Sequence, residues 1–375
     1  MAPMIVDGDS HFLEPLDLWE KYIESKYKDK ALRFIKDGKT GEMVAYEVEG
    51  RKRAEFSPEI FREAVGFEDP KRMADPNFSA DYANAPAGAL DPAARMKWLD
   101  AEGINKQLVY PTWGLMWEAD VDDPEVAAAY CRAYNTWVWE VCQPYSQRLY
   151  PVAHISLRDA EEAVKEIRRV AKLGFKGAFV GSRPLGGRSF GHPFYDPIWA
   201  EAQATDLAVG IHLTGNYDYV GSAWYKDSAL NSYLHFSMMV AEDPRKAMTT
   251  LMCDGALERF PRLKMGLVET KSGWVAEWLE RFDHRFSYLG YTTGMKRKPS
   301  EYFQRQCWIS ADPVENTLPA MVELVGEEPF LWGSDFPHAE GFINPVKEAK
   351  ERLRSLATRA QEKILGENAV RVFGL

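Results

Sequence analysis

Polar residues with catalytic chemistry cluster directly after short apolar runs in this chain. Asp7-Gly8-Asp9-Ser10-His11 follows one such run, and Gly210-Ile211-His212-Leu213-Thr214 ends another. Val268-Glu269-Thr270-Lys271 and Gly333-Ser334-Asp335-Phe336-Pro337-His338 follow the same pattern, and His154 closes a further run. Asp9 and His11 are two residues apart, so in an extended chain they project to the same side. Asp9, His11, His212 and Asp335 together offer carboxylates and imidazoles, the donor types of a divalent transition metal. Any one of these histidines alone reads as a hydrogen-bonded structural residue. Their joint placement with Asp9 and Asp335 at strand ends favours a metal instead. Glu269, His338 and Glu340 stand near the same place and extend the set to enough donors for a second ion. A carboxylate-rich pair of ions suits iron or manganese and oxygen activation.

The residues around these donors suggest what is bound. Arg183 in Gly181-Ser182-Arg183-Pro184 follows an apolar run and has the fork geometry to pair a carboxylate through two hydrogen bonds. Trp113, Asn216 and Tyr217 follow two other runs and fit either an aromatic pocket or packing. The expected substrate is a small aromatic or unsaturated carboxylic acid. No GxGxxG or GxxxxGK[ST] follows any run, so no nucleotide cofactor is expected.

Positioning such residues requires a frame whose strand ends converge. The runs Met4–Val6, Gln107–Tyr110, Tyr150–Ile155, Gly177–Val180, Ala208–Leu213, Lys264–Val268, Cys307–Ser310 and Phe330–Gly333 read as strands buried on both faces. Amphipathic helical patterns alternate with them: Pro124–Gln143, Asp159–Leu173, Pro197–Gln203, Pro244–Phe260, Gly273–Tyr288, Pro313–Val325 and Pro345–Leu356. The alternation predicts an α/β fold, a distorted TIM (β/α)8 barrel, with a doubly wound open sheet as the competitor. In both, functional side chains gather past the carboxyl ends of the strands. The stretch from Glu14 to Pro92 interrupts the alternation and is too long for a simple loop. It reads as an inserted cap, a small hairpin plus helices, over residues 14–92 of one barrel domain spanning 1–375.

Composition closes other routes. Lys plus Arg number 46 against 56 Asp plus Glu, a net charge of −10, which disfavours nucleic acid as a partner. Four cysteines without CxxC spacing read as free thiols in a reducing compartment. With no secretory leader and no run of about 18 apolar residues, a cytoplasmic protein is expected. A homodimer or larger assembly is expected, a hetero-oligomer being the alternative.

Longer motifs carry a resemblance. Asp7 to Pro15, the stretch Asp91-Pro92-Ala93-Ala94-Arg95-Met96-Lys97-Trp98-Leu99-Asp100-Ala101-Glu102-Gly103-Ile104, Phe260-Pro261-Arg262-Leu263-Lys264, Gly333 to His338 and the tail Asn368 to Leu375 span nearly the whole chain. The sequence resembles the metal-dependent amidohydrolase superfamily, in the branch of aminocarboxymuconate semialdehyde decarboxylase and γ-resorcylate decarboxylase. The resemblance implies a metal at the barrel mouth, with Asp9 and His11 as the strand-one ligands, His212 from strand five and Asp335 from strand eight. Zinc is the first expectation, with manganese or iron as alternatives. Relatives often carry His or Glu where this chain has Asp9, and many carry a catalytic His where it has Glu269. The activity implied is hydrolysis or non-oxidative decarboxylation, with Asp335 as acid or base and Glu269 and His338 as further catalytic candidates. A dinuclear iron or manganese oxygenase or hydrolase on the same barrel is the second reading. A non-catalytic subunit of a hetero-oligomer is the third, and the intact donor set argues against it.

Overall fold

The computed structural model describes residues 3–38, 43–55, 58–66, 82, 85–214, 233–339 and 344–375. The expected strands form one parallel sheet in chain order. Strand one comes in two pieces, Val6–Asp7 and His11–Phe12. Strands two to eight are Lys106–Pro111, Leu149–His154, Gly177–Gly181, Ala208–His212, Met265–Val268, Cys307–Ala311 and Phe330–Trp332. Each pairs in parallel with the next, from one to eight. Between eight and one the ladder gives way to separate hydrogen bonds: Gly8 N donates to Trp332 O at 2.9 Å, Asp335 N to Asp9 O at 2.9 Å and His11 N to Phe336 O at 2.7 Å. The sheet therefore closes as a (β/α)8 barrel, and its closing seam runs through the candidate donors. A Cβ on Gly333 would lie 2.3 Å from the Cβ of Asp9, so only glycine lets the two strands approach here.

Inside the barrel, Val6, Leu108, Tyr110, Val152, Phe179, Val268, Trp308 and Leu331 pack as one buried cluster. The C-terminal helix Asn368–Phe373 adds Ala369, Val372 and Phe373 to it, so the end away from the site is plugged by the tail. Helices cover the outside where local chemistry starts them. Pro92–Glu102, Pro124–Cys142 and Ala160–Leu173 begin on Asp91, Asp123 and Asp159, whose side chains accept from backbone N–H groups of the first turn.

Two helices differ from expectation. The run Pro244–Phe260 is broken into Glu242–Cys253 and Ala256–Arg259 by Gly255, at φ 76°. The helix expected from Pro313 begins only at Leu318, because Glu315 is buried and turned to accept from Ser272 N (2.7 Å) and Ser272 Oγ (2.8 Å).

Between strand one and helix Pro92–Glu102, the described residues include a short helix, Leu18–Tyr22, and an antiparallel meander of Arg33–Lys36, Met43–Val48 and Arg51–Glu55. This is three strands rather than a hairpin; the first is short and has a charged residue at each end, Arg33 and Lys36, which hides its pattern in the sequence. Helix Pro58–Val65 follows and reaches the barrel mouth, where Ala339 N donates to Glu63 O at 2.9 Å. No helix among the described residues is long and apolar enough to cross a membrane.

Candidate metal centre and active site

Asp9, His11, His212 and Asp335 come together at the mouth. His11 Nε2 lies 3.5 Å from Asp9 Oδ1 and 3.1 Å from Asp335 Oδ1, and His212 Nε2 lies 3.7 Å from Asp9 Oδ1. All four side chains are buried. Each imidazole has its other nitrogen committed: His11 Nδ1 donates to Pro111 O and His212 Nδ1 to Leu213 O, both at 2.7 Å. A carbonyl only accepts, so Nδ1 carries the hydrogen and Nε2 is the atom left to face inward.

That leaves Asp9 Oδ1, His11 Nε2, His212 Nε2 and both Asp335 carboxylate oxygens buried with no hydrogen-bond partner. Buried polar atoms are rarely left so, and a converging group of them marks a place built for something they all contact. The donor atoms of Asp9, His11 and His212 lie within 4.8 Å of one another, as do those of His11, Asp335 and His338. The set fits a divalent cation.

Without an ion, a proton on His11 balances the two carboxylates. Burial disfavours the His11 cation, yet the carboxylates of Asp335 and Asp9 overcome it and raise its pKa to about 10. Burial likewise opposes the charge of Asp335, but His338 and His11 hold that carboxyl well below its ordinary range. His338 is pushed down, first by burial and then by the His11 cation. Its Nδ1 lies 2.9 Å from Asp335 Oδ1, and its Nε2 is 3.0 Å from Thr112 Oγ1. Glu269 Oε2 lies 3.7 Å from His212 Nδ1. Asp335, Glu269 and Lys271 all have φ between 52° and 56°, a left-handed backbone that costs side-chain-bearing residues energy and collects at functional sites.

The family model described as Amidohydrolase matches residues 7–375. The chain belongs to the amidohydrolase family. Its curated relatives include a 2-amino-3-carboxymuconate-6-semialdehyde decarboxylase of Dictyostelium discoideum, 23% identical over 310 residues that cover 81% of this chain and 82% of that one. A gamma-resorcylate decarboxylase of Rhodococcus jostii is 26% identical over 277 residues, covering 68% and 79%. Among solved structures, an amidohydrolase from Mycobacterium avium subsp. paratuberculosis superposes with a TM-score of 0.82 at 24% identity over 100% of both chains. A dihydroxybenzoic acid decarboxylase from Polaromonas, solved with manganese and 2-nitroresorcinol, gives 0.68 at 19% identity over 100% of this chain and 97% of that one. These structural likenesses establish the amidohydrolase barrel.

A cavity of about 350 Å³ opens onto Asp335 and His338 in this amidohydrolase. Trp113, Met116 and Trp274 supply apolar wall, Glu63 comes from the inserted helix, and Lys271 and Asp312 face each other as an ion pair. Trp113, which the sequence left between pocket and packing, lines this cavity. Arg183 is not on this wall; it lines an adjoining recess of about 10 Å³ with Glu118 and Thr214. Asn216, Tyr217 and Glu340 lie outside the described residues. Thr112, Lys271 and Trp274 line the cavity as well, a place the sequence did not give them. Lys271 had a signal, since it stands two residues after Glu269 at the end of strand six.

Proposed function

We propose that this amidohydrolase is a metal-dependent, non-oxidative decarboxylase of a small aromatic or unsaturated carboxylic acid. The observation that carries the reading is the convergence of the orphaned atoms of Asp9, His11, His212 and Asp335, of which Asp335 opens onto a cavity lined by Trp113 and Trp274. The decarboxylases among its relatives favour this over hydrolysis. Asp9, His11, His212 and Asp335 would hold a divalent ion, which when bound supplies a positive centre for the substrate's acidic groups. Manganese, present in the Polaromonas structure, and zinc both accept this mixture of carboxylate and imidazole.

Asp335 is the proton carrier. The bond from ring carbon to carboxylate breaks, its electron pair stays on the carbon, and CO2 leaves. Asp335, ionised at rest, first takes a proton from solvent with His338 and Thr112 beside it to relay, then hands it to that carbon and returns to the carboxylate. Trp113 and Trp274 flank the ring and exclude water. Lys271, the one Lys or Arg among the described cavity residues, is paired with Asp312, and a second acidic group of the substrate would share that charge.

A single ion fits better than two. The two triads share His11, whose Nδ1 is tied to Pro111 O, and the one remaining nitrogen serves one ion. The test is a panel of aromatic and unsaturated acids, esters and lactones given to protein loaded with manganese or zinc, with metal per chain measured. CO2 release with about one ion per chain supports the proposal. Ester or lactone cleavage without CO2 overturns it in favour of a hydrolase.

A further inference from the structure

Asp7 is fully buried behind the donors and lies off the cavity wall, yet it organises the closing seam. Its Oδ1 accepts from Ser334 N at 2.8 Å and Asp9 N at 3.2 Å. Its Oδ2 accepts from Ser334 Oγ at 2.6 Å and Gln107 Nε2 at 2.8 Å. Gln107 Oε1 in turn accepts from Arg95 at 2.8 Å, and Arg95 donates to His11 O and to Gly88 O. The Arg95 guanidinium is buried between the rings of Phe12 and Phe336, each centred 4.5 Å away.

One chain of hydrogen bonds thus grips the backbone at Asp9 and His11 and at Ser334, next to Asp335. Its direction is fixed. Arg95 only donates, so Gln107 must turn its oxygen to Arg95 and its nitrogen to Asp7, whose two oxygens both accept.

We propose that Asp7, backed by Gln107 and Arg95, is a positioning residue that holds the strand-one and strand-eight donors converged and ready for an ion. The seam needs such a device: isolated hydrogen bonds replace a ladder there, and two carboxylates crowd one imidazole. The inference rests on the metal reading above. Partners behind metal ligands typically govern affinity by about 10–100-fold.

Asp7→Asn keeps the shape but puts an amide nitrogen where an acceptor is needed, so two donors face each other somewhere along the chain. Asp7→Asn combined with Gln107→Glu moves the carboxylate one place: the new amide donates to the new carboxylate, which still accepts from Arg95, and net charge is unchanged. Wild type, each single variant and the double variant are loaded with manganese. Metal per chain, the rate of metal loss to a chelator and the thermal midpoint of the metal-free protein are then measured. We expect Asp7→Asn to lose the ion about 10–100-fold faster than wild type at a temperature where both are folded, and the double variant to recover most of that loss. Ion loss from folded Asp7→Asn at the wild-type rate, with only the thermal midpoint lowered, overturns the proposal and leaves Asp7 a stability residue. Should Asp7→Asn not fold, the double variant decides alone: a folded double that keeps its ion supports the proposal, and one that leaks it overturns it. A wild type that takes up no ion overturns the metal reading itself, an outcome distinct from either.

Discussion

Asp335 and His338 face each other at 2.9 Å within the loop after strand eight, and the His338 ring stacks on that of His11 at 4.0 Å. One carboxylate therefore meets two imidazoles of unlike state. His11 keeps its proton and His338 sheds it, because burial and the neighbouring His11 cation both weigh against a second charge. Asp335 is left ionised between them, able to bind a cation or to accept and pass on a proton.

Replacing that carboxylate tests its role. Asp335→Asn keeps the shape of the side chain but cannot carry the proton, and turnover should fall by about 10²–10⁴-fold. Far-ultraviolet circular dichroism should match wild type, since the Asp335 side chain loses only its ion pairs to His11 and His338 and no bond to the backbone. Activity within threefold of wild type, at about equal metal content, would count against Asp335 as the proton carrier.

Ion uptake should depend on pH through His11. Its folded pKa of about 10 lies above the ordinary 6.5, so the metal-free fold gains stability from this group fully below pH 6.5 and loses it as pH rises through about 10. An ion needs the same Nε2 and must displace the proton, so affinity runs the other way. It should rise by about tenfold per pH unit between 6.5 and about 10. Chelator competition across that range measures it, and a flat profile would remove His11 from the ligand set.

The loop bearing Glu269 and Lys271 should depend on Glu315. Two left-handed residues are held in place because Glu315 accepts from Ser272 N and Oγ just beyond them. Glu315→Ala orphans those donors at about 1–3 kcal/mol each. It should also lower kcat/KM by about 10²-fold as the two cavity side chains lose their position. Denaturant unfolding and steady-state kinetics read the two effects; loss of stability with unchanged kinetics would confine Glu315 to the fold.

The barrel interior leaves no room at Gly266. A Cβ there would lie 1.9 Å from the Trp308 ring, which lies across strand six towards Gly210 of strand five. Gly266→Ala should cost about 3 kcal/mol or more, since neither the ring nor the strand can give way inside a closed sheet. Gly266→Ala combined with Trp308→Leu should recover part of that loss in thermal melts. No recovery would place the strain elsewhere than on the ring.

The order of residues along the chain was enough to read the barrel and to bring Asp9, His11, His212 and Asp335 to one end of it. Parallel strands buried on both faces must be continuous apolar runs, and polar residues directly after them have nowhere to go but the mouth, so Asp9, His11, His212 and Asp335 were legible from composition and order. Tertiary structure alone decided what surrounds them. Asp7 and Arg95 look in the sequence like residues of a loop motif and a helix face; only the pairing of strand one with strand two joins them through Gln107, and the closing of strand eight adds Ser334 to the chain. Arg183 carried a plausible local signal, but the path of the chain after strand four sends it to a separate recess. Lys271 and Asp312 meet because strands six and seven are neighbours. Periodicity reports which face of an element is buried; which buried groups meet across a closed sheet depends on register and curvature, which no local pattern encodes.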